Sequence, residues 1–101
     1  MKIRVLSCAE QELAEIVDYY NEQCPGLGYE FAAEVKNTFD RIKSFPEAWA
    51  LISSRSRRCI VNRFPYGVLY QVRQEFILVS GIMHLKRDPK KWQERIKKTI
   101  S

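Results

Sequence analysis

The sequence predicts an α+β domain: a mainly antiparallel sheet with an N-terminal helical hairpin packed on one face and a short C-terminal helix. Three observations predict it. Residues 9–42 carry two apolar stripes at helical spacing, separated by the breaker "CPG". The second half holds short runs rich in β-branched and aromatic residues, divided by turn signals. Finally, "DPKKW" sets a capping aspartate and a first-turn proline ahead of a last amphipathic segment. Strand, two helices, three or four strands and a helix make a segregated order, and the 101 residues suit one domain, with no linker or internal repeat.

"KIRVL", residues 2–6, alternates and reads as a short strand. Ser7 followed by Glu10 reads as a capping box opening the first helix. In that helix Ala9, Leu13, Ile16, Val17 and Tyr20 share one face, and Pro25-Gly26 ends it. The second helix starts around Leu27 to Gly28 and buries Phe31, Val35, Phe39 and Ile42. It exposes Glu30, Glu34, Lys36, Asp40, Arg41 and Lys43, and stops before Pro46. Neither helix is stable alone in water, so each stripe must be buried against something else. "AWALIS" reads as a short strand, "RRCIVNRF" as a second, and Pro65-Tyr66-Gly67 as a turn. "VLYQV" and "FILVSGIMHL" are strands joined by "RQE", a tight hairpin connection. The last strand is apolar on both faces, which predicts a central position. Asp88 then caps the final helix with Pro89 at its first position, and Trp92 and Ile96 share one side.

Composition narrows the function. A hydrophobic fraction of 46% suits a packed core and excludes a disordered chain. No apolar run reaches the ~18 residues of a membrane span, and the N-terminus lacks a signal-peptide pattern. A cytoplasmic protein with no membrane partner is expected. Cys8, Cys24 and Cys59 are odd in number and match no CxxC spacing, so no disulfide framework is expected. With His84 they could in principle form a Cys3His zinc site, but the paired spacing of such sites is missing. We expect neither metal nor cofactor. Residues 1–50 hold five basic and nine acidic side chains, a net −4, while residues 51–101 hold twelve and three, a net +9. The second half therefore suits an acidic or nucleic-acid partner, or else is simply a solvated basic surface.

Three stretches carry a family resemblance: "AEQELAEIVDYYNEQCPGLGYEFAAEV", "RRCIVNRFPYGVLYQV" and "HLKRDPKKW". The chain resembles the RelE/ParE superfamily, the toxin components of type II toxin–antitoxin modules, also called plasmid stabilisation proteins. The resemblance covers nearly the whole chain. It is most specific in Phe64-Pro65-Tyr66 with Tyr70 and in the "H-x-x-RDP-x-x-W" phrase. It implies a bacterial growth inhibitor held inactive by a cognate antitoxin protein. RelE-like members cut mRNA in the ribosomal A site, and ParE-like members poison DNA gyrase.

Metal-independent RNA cleavage needs a base, an acid and cations facing the phosphorane. The catalytic candidates are Arg58, Arg63, His84 and Arg87. Partner- or phosphate-binding candidates are Arg57, Lys86, Lys90, Lys91 and Tyr19. The counterpart of Arg87 in the RelE-like nucleases contacts phosphate. Each has a plainer alternative. Arg57 and Arg58 would serve as edge charges, His84 would orient "RDP" by bonding to its backbone, and Arg87 would anchor a carboxylate of the first helix. Tyr19 lies beside the apolar stripe, whereas Tyr20 and Phe31 belong in the core.

Two departures weigh against cutting. RelE-like nucleases carry a lysine pair ahead of the mid-sheet, whereas "ISSRSRRC" has arginines, which stay protonated and make poor bases. They also use a tyrosine where this chain has Trp92, a side chain with no proton for acid–base work and most simply a core residue. The long hairpin helices look ParE-like as well. The sequence therefore favours a ParE-like toxin acting on DNA gyrase or on a target of another kind. A ribosome-dependent mRNA endonuclease, the one enzymatic reading, is the alternative, followed by a non-toxic nucleic-acid-binding module. No RNP motif, GXXG loop or recognition-helix pattern supports the last.

Overall fold

The computed structural model describes residues 1–100. The elements are β1 (Lys2–Val5), α1 (Ser7–Gln23), α2 (Leu27–Ser44), β2 (Ala50–Leu51), β3 (Ser56–Ile60), β4 (Tyr66–Val72), β5 (Phe76–His84) and α3 (Pro89–Ile100). The five strands form one sheet in the order β1-β5-β4-β3-β2. β1 runs parallel to β5, from Lys2 opposite Phe76 to Val5 opposite Val79, and the other pairs are antiparallel. This is the α+β architecture that the sequence predicts.

Side-chain alternation puts a separate core on each face of the sheet. The hairpin stripe, Ala9, Phe31, Val35 and Ile42, packs on Val68, Tyr70, Ile77, Val79 and Ile82. On the opposite face Trp92 and Ile96 of α3 cover Leu69 and Met83. Trp92 is thus a core residue, only 4% exposed. Phe31 meets Phe64 edge-on at 5.1 Å and Tyr66 at 5.3 Å, which ties the β3–β4 turn to α2. Burying a side chain such as Phe31 or Ile42 contributes ~1.5–3 kcal/mol relative to leaving it exposed.

Several local expectations need correction. Ser7 is not a cap: it is the first helical residue, Leu6 occupies the cap position, and no side chain bonds there. The reason is the sheet. Leu6 N–H still donates to Val79 O at 3.0 Å while its own carbonyl accepts from Ala9 and Glu10, so Leu6 is the single residue through which strand passes into helix. Pro65-Tyr66-Gly67 is not a turn. β3 stops at Ile60, residues 62–65 make the reversal, and Tyr66 and Gly67 already pair with His84 and Met83. β5 does lie inside the sheet, between β1 and β4, as its apolar faces predict, although β1 flanks only the first part of this nine-residue strand. The "RQE" connection, the Asp88 cap and the helix breaks fall where the sequence puts them; Lys90 N–H donates to Asp88 Oδ1 at 2.9 Å.

The β4–β5 ladder contains an irregularity that no alternation rule foresees. Leu69 faces Gly81 and Tyr70 faces Val79, leaving Ser80 as an extra residue. A bulge shifts the side-chain period by one. Ile77 and Val79 face the hairpin, and beyond the bulge Ile82 faces it too. His84, two residues on, therefore lands on the α1 side, its ring edge-on to Tyr66 at 5.1 Å.

Tyr70 is fully buried, and its hydroxyl donates to Pro46 O at 2.7 Å. Burial above all, helped by Cys59 and opposed by Arg57, pushes its phenol from 10.0 to about 12. A folded value above the unfolded one favours the protonated fold. That stability is complete below pH 10.0 and is lost as pH rises toward about 12. Chemical denaturation across that window should show a steep fall for the native chain and a shallower one for Tyr70→Phe. Equal slopes would remove Tyr70 as the cause.

Candidate functional site

The candidate site forms at the corner where β5 runs out into α3, and its framework begins with an unfinished sheet edge. β1 ends at Val5, so past Val79 one side of β5 has no strand partner. Unpaired backbone groups there must find other partners. Arg95 of α3 donates through Nη1 to Ser80 O at 2.9 Å, and Glu12 of α1 accepts from Ile82 N–H at 3.1 Å through Oε1. The same two side chains then pair with each other, Nη1 to Oε1 at 2.9 Å and Nη2 to Oε2 at 3.1 Å. Glu12 and Arg95 are 15% and 21% exposed. The hydrogen bond to Glu12 raises the Arg95 pKa further, against the opposing pull of burial. Arg87 adds a third member, with Nη1 at 3.5 Å from Glu12 Oε2.

Neither Glu12 nor Arg95 stands out in the sequence reading. A signal existed. Glu12 lies three residues after Ala9 and four before Ile16, and Arg95 three after Trp92, so both interrupt a buried stripe. A charge inside an apolar stripe asks for a buried partner.

His84 closes β5 and pins the turn after it. Its Nδ1 accepts from Lys86 N–H at 3.0 Å, and its carbonyl accepts from Arg87 N–H at 3.0 Å. With Nδ1 accepting, the neutral ring carries its proton on Nε2 and offers a donor there. A small hollow of about 100 Å³ beside it is lined by Glu12, Glu15, Tyr66, His84 and Arg87, among others. Burial pushes the Tyr66 phenol up, Tyr19 adds to this, and Arg87 opposes it.

Arg87 also lines a second hollow, about 150 Å³, with Arg58, Ile52, Leu85 and Trp92. There the Arg58 guanidinium stacks over the Trp92 ring at 5.3 Å, a cation–π contact. The corner thus brings together Arg58, His84 and Arg87, with Lys86 exposed in the turn and Lys90 and Lys91 exposed on the first turn of α3. Lys91 lies 4.0 Å from Glu94.

The remaining candidates lie elsewhere. Arg57 neighbours Arg58 on β3, and strand alternation sends it to the opposite face, where Nη1 donates to Glu47 O and Trp49 O at 3.0 and 2.8 Å. Arg63 sits in the β3–β4 turn at φ 72°, paired with Glu30 at 2.9 Å and lying over Phe64. Tyr19 is exposed on α1, edge-on to Tyr20 at 5.4 Å, and Tyr29 is 71% exposed nearby in sequence on α2. The cysteines are dispersed: Cys59 is buried, Cys8 half-buried and Cys24 exposed. Among the described residues no three His, Cys, Asp or Glu side chains are grouped as metal ligands would be, and no helix is long and apolar enough to cross a membrane.

Comparison with known proteins places this arrangement in context. Residues 3–89 match the family described as the ParE toxin of the type II toxin-antitoxin system parDE. No curated protein matches the chain by sequence. Among solved structures, a chain of the chromosomal ParDE TA system from P. aeruginosa is similar at a TM-score of 0.74 and 16% identity, covering 83% of this chain and 95% of that one. At that identity the likeness is one of fold. The family match ends at Pro89, so it leaves out the part of α3 that supplies Trp92 and Arg95.

Proposed function

Since this chain belongs to the ParE toxin family of type II toxin–antitoxin systems, we propose that it arrests growth by binding DNA gyrase rather than by cutting RNA, and that a cognate antitoxin protein holds it silent. The observation that carries the binding reading is that the acid–base candidates at the β5–α3 corner are already engaged. His84 gives its Nδ1 lone pair to the turn backbone, and Arg87 leans on Glu12. The aromatic at the head of α3 is a buried tryptophan. What this leaves at the surface is fixed positive charge, in Lys86, Lys90, Lys91 and the outer part of Arg87, which suits docking. Gyrase is cytoplasmic, and we place the chain there.

The antitoxin reading draws on the net +9 of the second half and on exposed Tyr19 and Tyr29 beside the hairpin turn. An acidic amphipathic segment that folds on binding would use both charge and aromatic surface. The second reading, a ribosome-dependent mRNA endonuclease, draws on Arg58 and Arg87 lining one hollow, as two cations facing a phosphate would.

The purified chain should inhibit gyrase supercoiling in vitro, and cells expressing it should stop growing with no new codon-phased mRNA ends. Co-expression of the antitoxin should restore growth. Codon-phased ends with supercoiling intact would transfer the assignment to the nuclease reading. Arg87→Ala should lift the arrest. Because Arg87 is 44% exposed in its 3.5 Å pairing with Glu12, its loss should cost only ~0–1 kcal/mol of stability. A folded Arg87→Ala that still arrests growth fully would take Arg87 out of the site.

A further inference from the structure

The largest concentration of uncompensated arginine lies away from the β5–α3 corner. β5 separates the two places: the corner follows its last residue, His84, and the β4–β5 hairpin precedes its first, Phe76. Between that hairpin and the β2–β3 loop is a hollow of about 400 Å³ whose lining includes Arg55, Arg57, Arg73, Glu47, Gln71 and Gln74. Arg63, Arg87 and Arg95 each have a carboxylate within 4.0 Å. Among the described residues Arg55, Arg57 and Arg73 have none, although Glu47 lines the same hollow.

Two of these three guanidiniums are held by neutral acceptors. Arg57 donates to the carbonyls of Glu47 and Trp49. Arg73 donates through Nε to Gln71 Oε1 at 3.1 Å and through Nη2 to Thr99 O at 3.0 Å, near the C-terminal end of α3. Gln71 is itself fixed, being 1% exposed and donating to Ser56 Oγ at 3.1 Å. Carbonyl and amide partners orient a guanidinium without cancelling its charge. Arg55 lines the hollow, and its side chain has no hydrogen-bond or ion-pair partner among the described residues. Oriented positive charge with no ion-pair partner among the described residues is what an anion receptor requires.

We propose that this hollow binds the phosphodiester backbone of a nucleic acid strand. The chemistry of its lining selects that ligand over an acidic peptide. Only Leu51 and Val72 supply apolar side chains. A peptide that folds on binding has to bury apolar surface to offset its ordering. A nucleic acid strand needs no such contact, because its affinity comes from counterion release as arginines replace cations at phosphates. Planar guanidinium forks with amide and hydroxyl neighbours match phosphate and sugar oxygens. The site is independent of the choice between gyrase and ribosome as target.

Fluorescence anisotropy of the full chain tests this with two probes, a short labelled RNA strand and duplex DNA of the same sequence. Arg55 is the residue to change, because Arg57 and Arg73 also hold structure. Arg55→Gln should weaken binding severalfold whatever the sequence, and lower the slope of log affinity against log salt by about one. Lys36→Gln on α2 removes the same charge from a different hollow and should change neither. Binding of RNA alone, of DNA alone or of both, each dependent on Arg55, supports the site and identifies the source of the phosphodiester. Equal effects of Arg55→Gln and Lys36→Gln overturn it, as does a lack of binding by either probe in low salt. An acidic peptide that binds through Arg55 when neither strand does would give the hollow to a protein and overturn it as well.

Discussion

Glu12→Ala is expected to lower the unfolding free energy by about 3 kcal/mol, at the low end of the range for breaking a buried ion pair. The low end applies because Glu12 and Arg95 keep some contact with water. The variant loses two hydrogen bonds to Arg95 and leaves Ile82 N–H without its acceptor at a sheet edge that no strand completes. It also leaves Arg95 charged and partly buried, with only Ser80 O for company. In a domain whose total stability is ~5–15 kcal/mol this is a large share. It should appear as a fall in melting temperature of about 15 °C. Glu12→Gln keeps an acceptor for Ile82 and should fall between the two. Arg95→Met combined with Glu12→Leu should be less damaging than either single change, because it removes both charges together. A Glu12→Ala protein that melts within ~2 °C of the parent would show that the pair contributes nothing net.

This cluster marks the boundary of what the sequence revealed. Local signals placed the elements well. The stripe Phe31, Val35, Phe39, Ile42 defined α2, "CPG" separated the helices, and Asp88-Pro89 opened α3. Each depends on residues a few positions apart, which is the range over which periodicity and capping act. The misses have a different cause. Ser7 lost its capping role because Leu6 is still bonded to β5, 73 residues away in sequence. His84 faces α1 because an extra residue, Ser80, displaces the alternation; Gly81 inside the strand is the one local hint of a bulge, and it does not fix the register. Glu12 and Arg95 come from opposite ends of the chain to complete the same strand edge. Arg57 and Arg58 look like one basic pair in the sequence, yet the pleat sends them to opposite faces. The plainer alternatives for His84 and Arg87 both have structural counterparts, a bond to the turn backbone and a contact with an α1 carboxylate.

Gly28→Ala is expected to destabilise the hairpin by at least ~3 kcal/mol, toward the upper end of overpacking effects. Helix propensity alone gives the opposite sign, since alanine is favoured over glycine in a helix by ~1 kcal/mol. The crossing of α1 and α2 decides the sign. A Cβ on Gly28 would overlap the carbonyl oxygen of Val17 and come within 2.7 Å of Asn21 Cγ. The Val17 oxygen is backbone and cannot rotate away, so the helices would have to part. Parting them also breaks the bond from Gly28 N–H to Asn21 Oδ1, 2.8 Å long, which ties the start of α2 to α1. Asn21→Ala alone should therefore cost only ~1 kcal/mol and should not rescue Gly28→Ala, because the backbone clash remains. Thermal unfolding of the two single variants and the double variant checks this, and a Gly28→Ala chain as stable as the parent would mean that the hairpin can open at little cost. The consequence reaches the proposed antitoxin surface as well. Tyr19 lies two residues before Asn21 and Tyr29 follows Gly28, so the crossing that excludes a Cβ also sets the spacing of these exposed rings.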